Sequence, residues 1–559
     1  MKNNLKYILV ANFIISFCNI LHSQVITPSN LNYSLSLKKY LYQKQNIKST
    51  DTAQISNISE KAYYNNEIFD KSFLTSNDNI DFPKKIRKDS SLFTRKLTRE
   101  NLVNINDEDF KLTVDPLFNF NIKHGFGVIS KNYYQNTRGL IVKGIIAKNL
   151  YFESSYYESQ GSYTTYIDDF IKTHAVFPGQ QRVKNFKTSS YDYGLASGLL
   201  SFSPFAAKPI NNLSLNVQIG HGKNFFGDGY RSLLLSDFSA PYLFSKIITS
   251  YKNIKYTCLF TSFQNIFEGN LIPYSNIEWN AGYQKKTGTF HYLTYNAGKS
   301  LAVSLFEGTL WQVADSGGKH FNVDYFNPII LFHTSEFGLN NKNNTLLGLN
   351  ILYKAFNNFH FYAQVAADDI RIKEISSKGY FHNRTGIQLG AEGFDFLVIK
   401  NLNIQAEYNQ ASPYMYSHKS PAQSYTHYNQ ALAHPLGANF RESIGILRYR
   451  FKKYFIHAQI NIASYGVDTA KSNFGNNIFL SDINATTSLN TSVNTIGQGI
   501  KTNLKYVDFC FSYLINPVSN LNIFIGATYR NEKNVLKNQS DKFYYFGIRT
   551  SLINEYFDF

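Results

Sequence analysis

The sequence has 559 residues, with 47 Phe and 41 Tyr against only 2 Trp, 17% charged residues and a formal net charge of +17. Past the N-terminus no run of about eighteen apolar residues occurs, which excludes helical membrane spans. So aromatic a chain of moderate hydropathy matches a transmembrane β-barrel, where lipid-facing and lumen-facing residues alternate and average out.

Taken in order, residues 1–23 predict a secretory signal peptide. Lys2 and Lys6 form its basic start, residues 7–21 are largely apolar, and Ser23 is a small residue before Gln24. Phe17 disfavours lipidation at Cys18. Residues 24–113 are polar, with a basic cluster at Lys84, Lys85, Arg87 and Lys88. They predict a periplasmic, partly helical segment: Leu31, Leu35, Leu37 and Leu41 share one helical face, and Phe93 and Leu97 mark a second helix ending near Val103. Such helices bury little apolar area and need a barrel to dock on.

From residue 114 to 559 the period is two, which makes this region all-β. Leu402, Ile404, Ala406 and Tyr408 alternate with Asn403, Gln405, Glu407 and Asn409. Leu447, Tyr449 and Phe451 alternate with Arg448, Arg450 and Lys452. Similar rows run through Ile456 to Ile462, Val507 to Tyr513 and Leu521 to Tyr529. One face suits hydrocarbon and the other a wet lumen. Short turns are expected at 148–149, 253, 285–288, 357–358, 452–453 and 516–520. Long connections are expected near 159–188, 221–243, 311–343, 410–441 and 466–498. Short periplasmic and long external loops describe a large outer-membrane β-barrel of about 18 antiparallel strands. Residues 545–552 read as its last strand, followed by a terminal aromatic, Phe559.

Residues 214–248 carry the candidate site. A strand through Leu215, Val217 and Ile219 leads into GHGKNFFGDGYR, and a second strand returns at 244–250. The glycines fit tight turns in a loop folded into the lumen, an excursion that would obstruct a channel. They also fit a ligand platform in which Phe225, Phe226 and Tyr230 stack on sugar faces while Lys223 and Arg231 pair with carboxylates. The two readings are compatible. Neither a phosphate-binding loop nor a dinucleotide fingerprint is present. Arg448 and Arg450 form a lumen-facing cationic row, a second place for an anionic glycan. Glu307 is expected to face the lumen and pair with a basic residue. Asp168–Asp169 and Asp368–Asp369, if on strands, point to opposite faces and make no dyad. Cys258 and Cys510 form no CxxC, and neither a zinc-ligand cluster nor a nucleophile elbow is evident. The expectation is a non-enzymatic protein without metal or cofactor. Its partners would be outer-membrane lipid and an acidic surface polysaccharide; nucleic acid is excluded by export and by the lack of any such module.

Several segments in order resemble the Bacteroidetes branch of the Wzi capsule-assembly family, which includes the RemB-like proteins of gliding bacteria. They are VDPLFNF (114–120), YYESQGSYTTYI (156–167), FPGQQRVKNFK (177–187), the stretch just described, LFEGTLWQ (305–312), YFNPIILF (325–332) and FYAQVAADDI (361–370). The resemblance implies an outer-membrane barrel with periplasmic helices that binds, attaches or assembles capsular polysaccharide. In the RemB-like branch it implies a cell-surface gliding-motility role with envelope proteins of type IX secretion. The chain departs from the family at Phe225-Phe226-Gly227-Asp228-Gly229, where a Trp-rich motif is expected. A porin or an outer-membrane lipid or glycan enzyme are further readings with less behind them.

Overall fold

The computed structural model describes residues 91–126, 131–147, 149–204, 213–266, 284–312, 314–315, 318–319, 326–332, 343–356, 358–369, 383–469, 472–486 and 494–559, plus a two-residue pairing of Val25–Ile26 with Tyr64–Asn65. The expected signal peptide, the helix through Leu31 to Leu41 and the basic cluster at 84–88 lie outside the described residues.

Eighteen strands form one closed antiparallel barrel. In chain order they are β1 (Phe110–Phe126), β2 (Lys131–Ile146), β3 (Leu150–Ser162), β4 (Ser190–Phe202), β5 (Leu213–Gly222) and β6 (Tyr242–Tyr251). Next come β7 (Ile254–Asn265), β8 (Gln284–Ala297), β9 (Leu301–Gln312), β10 (Asn344–Phe356), β11 (Phe359–Asp369) and β12 (Arg384–Phe394). The last are β13 (Leu402–Ala411), β14 (Phe440–Phe451), β15 (Tyr454–Val467), β16 (Ile500–Asn516), β17 (Leu521–Lys533) and β18 (Asn538–Arg549). β18 closes on β1 from Lys542 opposite Phe126 to Arg549 opposite Asn119. Closure leaves no unpaired edge, which is what allows strands to cross hydrocarbon.

The alternation sets the two faces. On β14, Leu447, Tyr449 and Phe451 point outward while Ile446, Arg448 and Arg450 point inward; on β15, Ile460 and Ile462 point outward and Gln459 and Asn461 inward. Ile525, Phe509 and Phe546 stand exposed on the outer wall. A closed ladder with such a belt is an outer-membrane barrel. Most connections after even-numbered strands are short, and most of those after odd-numbered strands are long, so the long ones define the external end.

Four boundaries differ from the sequence reading. Residues 285–288 are not a turn but lie in β8, and the turn falls at Gly298, which has φ 79°. Gly288 serves packing: a Cβ there would sit 2.8 Å from Leu310, Phe263 and Thr261. Asp168 and Asp169 are on a helix, α2 (Thr165–His174), in the external β3–β4 connection, where Ile167 and Ile171 supply its buried face. β18 stops at Arg549, so residues 550–559 are not strand. The helix through Phe93 and Leu97, α1 (Leu92–Thr98), ends short of Val103 because Asp115 captures the Asn101 side chain (2.5 Å) and the Leu102 N–H (3.1 Å). Val103–Asn106 then pairs with the start of β1, so the strand region opens before residue 114. Asn516 ties α1 to the short-turn end of the barrel by donating to the carbonyls of Lys96 and Glu100, at 2.9 and 3.0 Å.

Candidate functional site

The connection after β5, residues 223–241, turns into the lumen and packs against its walls. Leu233, Leu234 and Leu235 are fully buried and join Phe226, Phe290, Phe306 and Leu310 in the main core. Phe226 stacks on Tyr292 with centroids 4.9 Å apart, and its N–H donates to the Leu235 carbonyl at 2.9 Å. Two glycines let this plug approach the wall. A Cβ on Gly227 (φ 137°) would meet the Gln364 amide at 2.1 Å, and one on Gly229 would meet the Glu407 carboxylate at 2.6 Å.

Glu407 on β13 accepts the N–H groups of Tyr230 (2.6 Å) and Arg231 (3.0 Å). Arg231 is 3.0 Å from the Asp558 carboxylate and 3.4 Å from Glu442 on β14. Its guanidinium lies over the Tyr230 ring, and the Tyr230 hydroxyl donates to Asp558 at 3.0 Å. Gln364 accepts from the Leu233 N–H at 2.9 Å, and Gln388 donates to the Arg231 carbonyl at 3.0 Å. From the external side, residues 412–439 close over the plug: Tyr416 and Tyr425 donate to the carbonyls of Leu233 and Leu234 at 2.9 and 2.7 Å.

Residues 550–559 enter from the opposite end. Tyr556 donates to Asp237 of the plug at 2.8 Å, Arg530 donates to the Phe559 carbonyl at 3.0 Å, and the Phe559 ring reaches Phe170 of α2 at 5.2 Å. The segment thus runs from the short-turn end to an external helix.

Phe225, Phe226, Tyr230 and Arg231 are therefore interior groups, each under 6% exposed. Their rings and charge are engaged by the wall and by residues 550–559, so a polymer arriving from outside does not meet them as a surface platform. Lys223 differs: its ammonium is buried without a hydrogen bond. Burial lowers its pKa to about 8, against the raising pull of Asp237 and Glu555. Arg448 faces the lumen and donates to Asn403 and Gln405 at 3.3 and 3.4 Å. Arg450 lies on the same inner face nearer the short-turn end, so the seven residues do not form one site.

The sequence reading missed the wall groups that hold the plug: Glu407, Glu442, Gln364 and Gln388. Their alternation on β11 to β14 already marked them as lumenal. It also missed Asp558, which lies beyond the expected last strand at 545–552 in a tail of which only the terminal aromatic stood out.

The outer wall carries an unexpected polar patch. Glu307 points outward, since Phe306, Gly308 and Leu310 take the lumenal face of β9 against the plug. It is fully buried, as is His291 directly opposite on β8. The cover is residues 326–332 of the β9–β10 connection. Leu331 N–H donates to Glu307 at 2.6 Å. The Tyr256 hydroxyl donates to the Pro328 carbonyl and lies 2.9 Å from His291 Nδ1. Phe326 packs on Phe260 at 5.4 Å, while Ile329 is 60% exposed toward lipid. Among the described residues, no group of three or more His, Cys, Asp or Glu side chains is placed to hold a metal ion.

At the external end, Lys131, Lys184, Lys187, Lys533 and Lys537 are exposed around β17, β18, β1, β2 and the β3–β4 connection, which are neighbours in the ring. Asp168 and Asp169 there are bound by Lys172 (2.6 Å) and Lys537 (3.3 Å). Lys131 and Lys187 lie over the rings of Tyr133 and Phe186, at 5.5 and 5.1 Å.

No family model matches this chain, and no curated protein matches it. Among solved structures it is similar to Wzi of Escherichia coli, described as an outer-membrane carbohydrate-binding β-barrel involved in group 1 capsule assembly. The identity is 14% over 80% of this chain and 85% of that one, with a TM-score of 0.46. It is also similar to the outer-membrane protein OprD of Pseudomonas aeruginosa, with 11% identity over 81% and 95% and a TM-score of 0.41. A third is OccAB2 of Acinetobacter baumannii, with 9% identity over 78% and 97% and a TM-score of 0.40. The barrel assignment rests on the chain's own strand ladder, and these three are outer-membrane neighbours at low identity.

Proposed function

We propose that this protein is a non-enzymatic outer-membrane barrel that holds an acidic surface polysaccharide on its external rim. The observation that carries the reading is the charge there. Exposed lysines at 131, 187 and 533 sit near Asp168 and Asp169, which are bound by Lys172 and Lys537. Two of these ammonium groups lie over aromatic rings, which gives an acidic sugar both a charge partner and a flat apolar face. The plugged lumen favours holding over passage. In this reading Phe226, Tyr230, Arg231 and Arg448 keep the barrel shut, and the polymer meets the rim.

Purified protein on a glycan array should bind uronate- or phosphate-bearing polymers, and binding should fall steeply as salt shortens the screening length to about 10 Å at 0.1 M. Charge reversal at Lys131, Lys187 and Lys533 together should weaken it by roughly tenfold or more, since each lost contact at an exposed site contributes up to about 1 kcal/mol. Binding that ignores both salt and these reversals would sink the rim. In cells, deleting the gene should release capsule. Intact capsule with lost spreading on agar would move the protein to the motility reading that the RemB-like resemblance offers.

A further inference from the structure

Where the plug begins, the lumen is not full. A cavity of about 90 Å³ remains between the inner faces of β3, β4 and β6, the first residues of the plug and residues 551–554. That is room for several waters or one small ring in their place. Ser155, Tyr157, Lys223, Asn224, Phe225 and Phe244 line it. Residues 551–554, which follow directly on the end of β18 at the short-turn end, form one wall of it, with Leu552 and Ile553 packed against the cluster of Leu117, Ile141 and Tyr157.

Its polar groups are poised but unused. The Lys223 ammonium is buried and makes no hydrogen bond. Asn224 is 1% exposed; its backbone N–H donates to the Tyr242 hydroxyl at 3.2 Å, yet neither polar atom of its side chain has a hydrogen-bond partner. Buried donors and acceptors in a native interior are nearly always satisfied, and an unsatisfied pair beside a cavity marks the place of a missing ligand or water. Acceptors are also at hand. Glu153 and Asp237 line the same space; Glu153 takes the Tyr151 hydroxyl at 2.6 Å and pairs with Lys143 at 3.6 Å, while Asp237 takes the Tyr556 hydroxyl at 2.8 Å.

The balance decides the ligand class. Lys223 faces Asp237, with Glu555 also within its field, and Glu153 is paired with Lys143 at 3.6 Å, so cations and carboxylates are matched and an anion entering here gains no net attraction. An amide, an ammonium, two carboxylates and two paired serines offer donors and acceptors in similar number. Tyr157, Phe225 and Phe244 add flat apolar walls. We infer that this cavity is a binding site for one neutral sugar ring, held by Lys223, Asn224, Glu153 and Asp237. The site is separate from the basic rim in place and in ligand charge, so either can fail without the other.

Saturation-transfer NMR on the full-length barrel in detergent micelles tests it, with glucose, galactose and N-acetylglucosamine as neutral probes and glucuronate and inorganic phosphate as anionic ones. At least one neutral sugar should show saturation transfer, with millimolar affinity. Lys223→Met and Asn224→Leu keep the side-chain volume and should each weaken it tenfold or more, while the variants keep the heat-dependent gel shift of a folded barrel. Absence of transfer to every neutral sugar would overturn the site. So would unchanged binding in both variants, or displacement of the neutral sugar by phosphate or glucuronate at equal concentration.

Discussion

Glu407 on β13 and Glu307 on β9 are both buried carboxylates fixed in the barrel wall, one facing the lumen and the other the lipid. Each accepts backbone N–H groups from an irregular segment folded against the wall: Tyr230 and Arg231 inside, Leu331 outside. Irregular backbone at membrane depth survives only where protein satisfies it, and both faces of this wall supply that. The difference lies in redundancy. The inner segment is also held by Gln364, Gln388, Glu442, the tyrosines of residues 412–439 and residues 550–559. The outer one meets the wall through Leu331 on Glu307, Pro328 on Tyr256 and Phe326 on Phe260, and its side chains Ile329 and Leu331 look outward. The inner face should therefore tolerate loss of a single neutral contact. It should not tolerate loss of the charge on which several carboxylates depend.

Arg231→Met is the strongest way to break that asymmetry. It leaves Glu442 and Asp558 buried without their cation. Breaking a buried ion pair from one side costs about 3–5 kcal/mol, less whatever His434, 2.7 Å from Glu442, recovers. Urea unfolding of the barrel reconstituted in liposomes should show a loss of this order, and residues 550–559 should become open to protease from the short-turn side. A loss below about 1 kcal/mol would mean that the apolar core around Leu233 to Leu235 holds the plug without the ion network.

On the outer face, Glu307→Leu removes the acceptor of the Leu331 N–H and leaves that donor against hydrocarbon, at a cost of about 1–3 kcal/mol. The strap should then lift. A cysteine placed at Ile329, in a background without Cys258 and Cys510, should react faster with a water-soluble thiol reagent. Glu307→Gln keeps an acceptor and should stay near the parent rate. Equal rates in the two variants would detach the strap from Glu307.

Much of this wall was legible in the residue pattern because a period of two has only two outcomes. The rows through Leu402 to Tyr408 and Leu447 to Phe451 assigned both faces and left little choice for the strand count. The inward fold of residues 223–241 was legible as well, since so many glycines and aromatics have no place on a strand. What the plug residues touch was not. A Phe that stacks on sugar and a Phe that stacks on Tyr292 look alike in sequence, and Arg231 advertises a carboxylate without naming Asp558, more than three hundred residues away. Glu307 was misplaced for a related reason. A charged residue on an alternating strand is assigned to the lumen by default, and only the register of Phe306 and Leu310 against the plug shows that the lumenal side is taken. Residues 550–552 continue the expected last strand, yet the pairing of β18 with both β17 and β1 ends at Arg549.

The smallest expected effect separates Lys223, buried without a hydrogen bond, from the ion-paired Arg231 of the same plug. Lys223 sits at about 8 in the folded protein and at about 10.4 when unfolded. Below both values the two states carry the same proton, so the cost of the buried ammonium is constant and stability does not change with pH through this group. Between them the unfolded chain holds more protons, so raising the pH favours the folded state. From pH 8 to pH 9 the gain should be about 1 kcal/mol, and Lys223→Met should abolish it while raising stability at pH 7. Other lysines and tyrosines titrate in the same range, so the quantity to measure is the difference between parent and variant unfolding curves at each pH. If that difference stays flat from pH 7 to pH 9.5, the ammonium is already compensated where it lies. The cavity beside it would then have no unmet donor to offer a ligand.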